Sequence, residues 1–209
     1  MLLGNRKLLI LSKSIINIFW ILQWLILILL IVYTLLLIIK VDFFDINLLK
    51  GFKIHFSKID FLQPLIYNGE EYNIKLTNGE GRLHIDDFNQ NFIYLRILAA
   101  FIDTFMYLLI LYFLRKIFKN LTSNQFFIPE NGMLIKKIGF SIIALAIIPE
   151  IIHYLTDRMI SKTIHIENII IKNELHIDYQ TILLGILVFV ISIVFLRGIE
   201  LQKDQELTI

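Results

Sequence analysis

Asp103, Glu150 and His153 are ionisable residues standing deep inside long apolar runs of this chain. Asp103 is 12 positions from Arg115, and Glu150 is 13 from Lys137. At about 1.5 Å per helical residue, both acids fall about 18–20 Å from those cations, in the middle third of a ~30 Å hydrocarbon core. A charge at that depth is costly, so such residues point into a helix bundle and take partners there. Glu150 and His153 are three apart and share a helix face. Two chemistries suit the trio. One is a proton-coupled or ligand-binding cluster; the other is a buried polar clasp with one acid protonated. Glu-x-x-His is also half of a di-iron pattern, but that needs a second copy and two further glutamates, so no metal is expected.

Four more histidines, His55, His84, His165 and His176, fall on polar-face positions of predicted strands. Imidazole titrates near neutrality and ligates zinc or copper, which makes these candidates for pH or metal sensing. A solvated strand face is the simpler explanation, because no pair has a dedicated ligand spacing. No cofactor is expected, and neither a nucleophile arrangement nor a metalloprotease helix is present, so enzymatic activity is not expected. Cysteine is absent, excluding disulfides and thiolate chemistry.

The elements that must position these residues follow from hydropathy. Apolar types make up 57% of the 209 residues and mean hydropathy is +0.72, outside globular usage. Ser14 to Ile39 is uncharged over 26 positions, more than the ~20 needed to cross a bilayer. That run is far longer than a signal-peptide core and reads as a retained anchor. The expected order is a tail (1–13), a first span (14–39), an outer segment (40–90), a second span (91–114), a loop (115–137), a third span (138–157), a second outer segment (158–179), a fourth span (180–197) and a tail (198–209). Lys and Arg crowd the first tail and the 115–137 loop, which the positive-inside rule assigns to the cytoplasm. Both termini are then cytoplasmic, in the inner membrane of the cell.

Both outer segments alternate apolar and polar residues, and each contains Leu-His-Ile-Asp (83–86 and 175–178). A hairpin is predicted in the first, turning at Asn78-Gly79, and another in the second, turning at Lys172-Asn173. The expected fold class is an α-helical integral membrane protein, four transmembrane helices with a small extracytoplasmic β-sheet built from the two strand-containing segments.

At the cytoplasmic side, Pro129 and Glu130 suit a helix's first turn. The segment from Phe127 through Asn131 to Lys136-Lys137-Ile138-Gly139, and the ending with Arg197, Gly198, Leu201, Leu207, Thr208 and Ile209, resemble the small bacterial four-span membrane proteins grouped as domain of unknown function 2975. The outer segments are longer and more strand-like than that family's pattern. The resemblance implies a partner, because such proteins are often encoded beside small helix-turn-helix regulators. The expected function is a sensory or regulatory membrane component contacting a cytosolic helix-turn-helix regulator through Asn131, Arg197, Gly198, Leu201 and Leu207, with no direct contact to nucleic acid. The alternative is a small transporter or proton-coupled protein using Asp103, Glu150 and His153, which with four spans needs a homo-oligomer.

Overall fold

The computed structural model describes residues 2–39, 52–59, 65–67, 70–72, 76–83, 90–163, 169–172 and 175–206. In chain order these form α1 (Leu2–Ile39), β1 (Phe52–Ile59), β2 (Leu65–Tyr67), β3 (Glu70–Tyr72), β4 (Leu76–Leu83), α2 (Gln90–Thr122), α3 (Pro129–Thr163), β5 (Ile169–Lys172) and α4 (Tyr179–Glu206). Four helices contain stretches long and apolar enough to cross a membrane: Lys7–Ile39, Tyr94–Thr122, Pro129–Lys162 and Tyr179–Gln205. The chain is a multi-pass membrane protein. Ile21 and Ile39 on α1 are each 65% exposed and Leu183 on α4 is 68% exposed. Apolar side chains presented outward in this way are solvated by lipid tails rather than by a protein core.

Every helix runs past the uncharged stretch that marks its span. Charges end a hydrophobic block but not a helix, since Lys, Arg, Glu and Gln are good helix formers once the backbone leaves the hydrocarbon.

The expected fold class is corrected. The architecture is four-helical and almost wholly helical, and the expected extracytoplasmic sheet made of two hairpins is withdrawn. Among the described residues, neither hairpin is formed. Asn78-Gly79 lies inside β4, where Gly79 pairs with Phe56 of β1. Ile170 of β5 pairs with Lys58 of β1 rather than with Leu175, and 175–178 carry no strand. The short strands that do pair follow the order β4-β1-β5, with β2-β3 apart. Asn-Gly is a strong turn former, but a distant partner strand satisfied its backbone groups and overrode that local preference.

The chain divides into two compact units. The first contains 1–39, 99–149 and 177–209, and the second contains 40–98 and 150–176. In the first unit α3 and α4 approach so closely that their backbones touch. A Cβ on Gly139 would sit 2.9 Å from the Gly185 carbonyl oxygen and 2.9 Å from the Phe189 nitrogen. Small residues at facing positions give membrane helices the van der Waals contact that lipid cannot supply. Phe140 packs edge-on against Phe189, with centroids 5.0 Å apart. Beside them, Ile117, Leu134 and Ile138 form a buried cluster.

Asp178 explains one copy of the repeated tetrapeptide. Its Oδ1 accepts hydrogen bonds from the backbone N–H groups of Gln180 (3.0 Å) and Thr181 (3.1 Å), and its Oδ2 accepts one from the Thr181 hydroxyl at 2.6 Å. It is the N-cap of α4. The Thr181 hydroxyl, then the Thr181 and Gln180 N–H groups, hold its carboxyl below the usual range. Asp86, its counterpart, lies outside the described residues.

Candidate functional site

The second unit holds a charged cluster between α2 and α3. Arg96 lies near the start of α2; His153 and Asp157 are one turn apart on α3, a spacing that places both on one face. Arg96 Nη1 donates to His153 Nδ1 at 2.6 Å, and Arg96 Nη2 donates to Asp157 Oδ1. The Arg96 and Asp157 side chains are only 20% and 12% exposed. Glu150, half-buried one turn before His153, adds its negative field to Arg96. Thr156 between them is fully buried, its hydroxyl bonding the Ile152 carbonyl at 2.6 Å.

This geometry assigns a tautomer. A guanidinium offers donors and no acceptor, so His153 Nδ1 must be the accepting nitrogen and the imidazole is neutral, with its proton on Nε2. Protonating Nδ1 removes that bond and sets two cations side by side. The planar fork of Arg96 serves both partners at once, which a lysine ammonium cannot reproduce.

Of the intramembrane trio, Glu150 and His153 belong to this unit, while Asp103 is half-buried in the part of α2 that belongs to the first unit. Arg96 and Asp157 were not singled out from the sequence as site residues. The signal was present: a lone arginine in one apolar run and a His-x-x-x-Asp spacing closing another. Asp157 stands at the last position of the third span as read from sequence; helix α3 continues past it to Thr163, and only the folded chain brings it to Arg96.

The other histidines are scattered. His176 is exposed in the link before α4. His55 lies in β1, in register with Glu80 and Lys172. His84 and His165 lie outside the described residues. Among the described residues, no three His, Asp or Glu side chains are grouped to hold a metal ion.

At one end of the first unit, the α2–α3 link is locked around Asn131. Two residues past the end of α2, Asn124 has a φ of 62°, the left-handed conformation that asparagine tolerates just beyond a helix C-terminus. Gln125 N–H then returns to the Asn120 carbonyl at 3.0 Å. Asn131 is 1% exposed. Its Nδ2 donates to the carbonyls of Gln125 (2.9 Å) and Phe126 (3.0 Å), while its Oδ1 accepts from Asn120 Nδ2 at 2.9 Å. Lys116 pairs with Glu130 at 2.7 Å on the surface. Of the residues proposed to meet a partner, Asn131 is thus interior, and Arg197, Gly198 and Leu201 are exposed. Leu207 lies outside the described residues. Phe127 is 67% exposed and stacks on Phe195 at 5.8 Å, which places the link and the last turns of α4 together.

The family described as Protein of unknown function (DUF2975) matches residues 85–209, more than half of the chain. The match includes Arg96, the α2–α3 link, both helix-crossing glycines and α4, and leaves out α1 and β1 to β4. No curated protein and no solved structure matches the chain.

Proposed function

We propose that this chain, which belongs to the Protein of unknown function (DUF2975) family, is a sensory or regulatory membrane component that signals through a cytosolic helix-turn-helix regulator and catalyses no reaction. The observation that carries this reading is the hydrogen bond from Arg96 to His153, made within a cluster that also contains Asp157 and Glu150. A proton arriving on Nδ1 must separate Arg96 from His153, leaving Asp157 and Glu150 as the groups that hold the two cations. A small chemical change thereby alters a contact between α2 and α3. Those two helices are joined by the rigid link around Asn131.

The docking end would be that link together with the tail, where Phe127, which stacks on Phe195 of α4, and Arg197 and Leu201 further along α4 are exposed. The positive-inside rule places this end in the cytoplasm, since Lys13, Arg115, Lys116, Lys119, Lys136 and Lys137 gather there. The full chain and a version lacking residues 198–209 are purified in mild detergent and their bound proteins compared. Loss of a small DNA-binding protein from the shortened chain is the expected result; identical partner sets from both would end the proposal.

A transport reading rests on Asp103 and Glu150, half-buried acids in two different spans. Its test is separate: Asp103→Asn and Glu150→Gln would each abolish solute or proton flux in liposomes.

A further inference from the structure

The seam between α1 and α2, at the end where the α2–α3 link lies, contains an arginine held as if for a ligand. Arg115 Nε donates to Asn17 Oδ1 at 2.8 Å, and the guanidinium carbon lies 4.9 Å from the centroid of the Trp20 ring. Trp20 is itself fixed by Trp24 (edge-on, 5.9 Å) and Tyr112 (6.4 Å). Nε and one face of the guanidinium are therefore occupied, and no carboxylate among the described residues bonds the Nη1/Nη2 fork. Such a fork is pre-set for two parallel bonds to phosphate oxygens.

Two further cations flank it. Lys13 lies one turn before Asn17 on α1 and donates to Thr122 at 3.4 Å, while Lys119, exposed, lies one turn after Arg115 on α2. Among the described residues, no carboxylate forms an ion pair with Lys13, Arg115 or Lys119. Helix α1 contains no acid, Asp103 is the sole acid of α2 and lies 12 residues from Arg115, and Glu130 is engaged by Lys116. Topology accounts for cations at this end of the spans, but it does not require an arginine to be held over a tryptophan ring. Trp24 and Tyr112 remain 44% and 49% exposed beside it, as aromatic residues do at a headgroup boundary.

We propose that Lys13, Arg115 and Lys119 form a binding site for the phosphate headgroup of an anionic phospholipid in the α1–α2 seam. The Arg115 fork grips the phosphate oxygens, the two lysines supply long-range attraction, and the acyl chains lie along the lipid-facing surface of α1. A basic seam between spans is a known way to hold an acidic headgroup.

The test uses the full chain stripped with detergent, then offered phosphatidylglycerol or phosphatidylcholine and examined by native mass spectrometry. Wild type should retain phosphatidylglycerol several-fold better than phosphatidylcholine. Arg115→Gln should abolish the difference, and Arg115→Lys, which keeps the charge but not the fork, should restore only part of it. Lys119→Gln alters an exposed side chain that the fold does not use, so it should fold normally and weaken retention. Lys116→Gln should leave retention intact. Equal retention of the two lipids by wild type, or unchanged retention in both Arg115→Gln and Lys119→Gln, would overturn the proposal. Displacement of the lipid by inorganic phosphate would overturn it too, by assigning the site to the free anion.

Discussion

Gly139 of α3 and Gly185 of α4 face one another with no room for a methyl group on either. A Cβ on Gly185 would lie 3.0 Å from the Gly139 carbonyl oxygen and 3.1 Å from the Ile143 nitrogen. Backbone cannot step aside as a side-chain tip can, so Gly139→Ala and Gly185→Ala must push the two helices apart. Each is expected to destabilise by about 1–3 kcal/mol. Gly198, further along α4, has nothing within 4 Å of its Cβ position. Gly198→Ala should stabilise by up to ~1 kcal/mol through helix propensity alone. Thermal unfolding in one detergent, comparing the three variants, checks the contrast. Equal effects at all three positions would mean that the crossing is not close-packed.

Asn131 is expected to act as a structural knot. Alanine there removes the bonds to the carbonyls of Gln125 and Phe126 and leaves the Asn120 amide with Glu130 alone, at a cost of about 1–3 kcal/mol. Asn131→Asp should be worse than its size suggests, because a carboxylate has no hydrogens for those two carbonyls. Protease cleavage between residues 123 and 128 should accelerate in both variants. An Asn131→Asp chain that resists protease as wild type does would show that the amide hydrogens are not what holds the link.

Removing one member of the Arg96–Asp157 pair leaves a charge buried without its counterpart. Asp157→Ala and Arg96→Met should each cost about 3–5 kcal/mol, and the double change Arg96→Met with Asp157→Leu should cost less than either alone. That non-additivity is the signature of a direct pair. Denaturation in mixed micelles measures it; strictly additive losses would place the two residues in separate environments. His153→Gln should retain the fold, since its amide oxygen can also accept from Arg96.

Asp178 gives a pH dependence with a definite sign. Its carboxyl titrates lower in the folded chain than in the unfolded one, because the ionised form accepts bonds from Thr181 and Gln180. The cap's contribution is therefore present above the unfolded carboxylate range and disappears as pH falls through the lower folded value. Fraying of the first turn of α4, followed by amide exchange at Gln180 and Thr181, should rise in acid in wild type. In Asp178→Asn, which caps without titrating, exchange should not follow that acid transition.

The four spans were legible in the linear chain because a bilayer imposes a length and a polarity that can be counted. Pro129 announced the start of α3 for a similarly local reason: it lacks the N–H that a helix's first turn cannot use anyway. The Asn131 knot was partly visible as a residue of the resemblance, but its interior position was not. Whether an asparagine turns outward to a partner or inward to carbonyls depends on how the chain returns after Asn124.

What the order of residues determined by itself was the class: lipid-crossing helices, their number, and one end rich in cations. What only the tertiary structure decided was pairing. Asn78-Gly79 became strand interior because β1, remote in sequence, supplied the hydrogen bonds that a turn would otherwise have closed. Arg96 met His153 and Asp157 because two helices from different parts of the chain came to lie side by side. Hydrophobic partition acts on each segment alone and so can be read segment by segment. Hydrogen bonds and ion pairs belong to two groups at once, and in this chain the second group lies dozens of residues away.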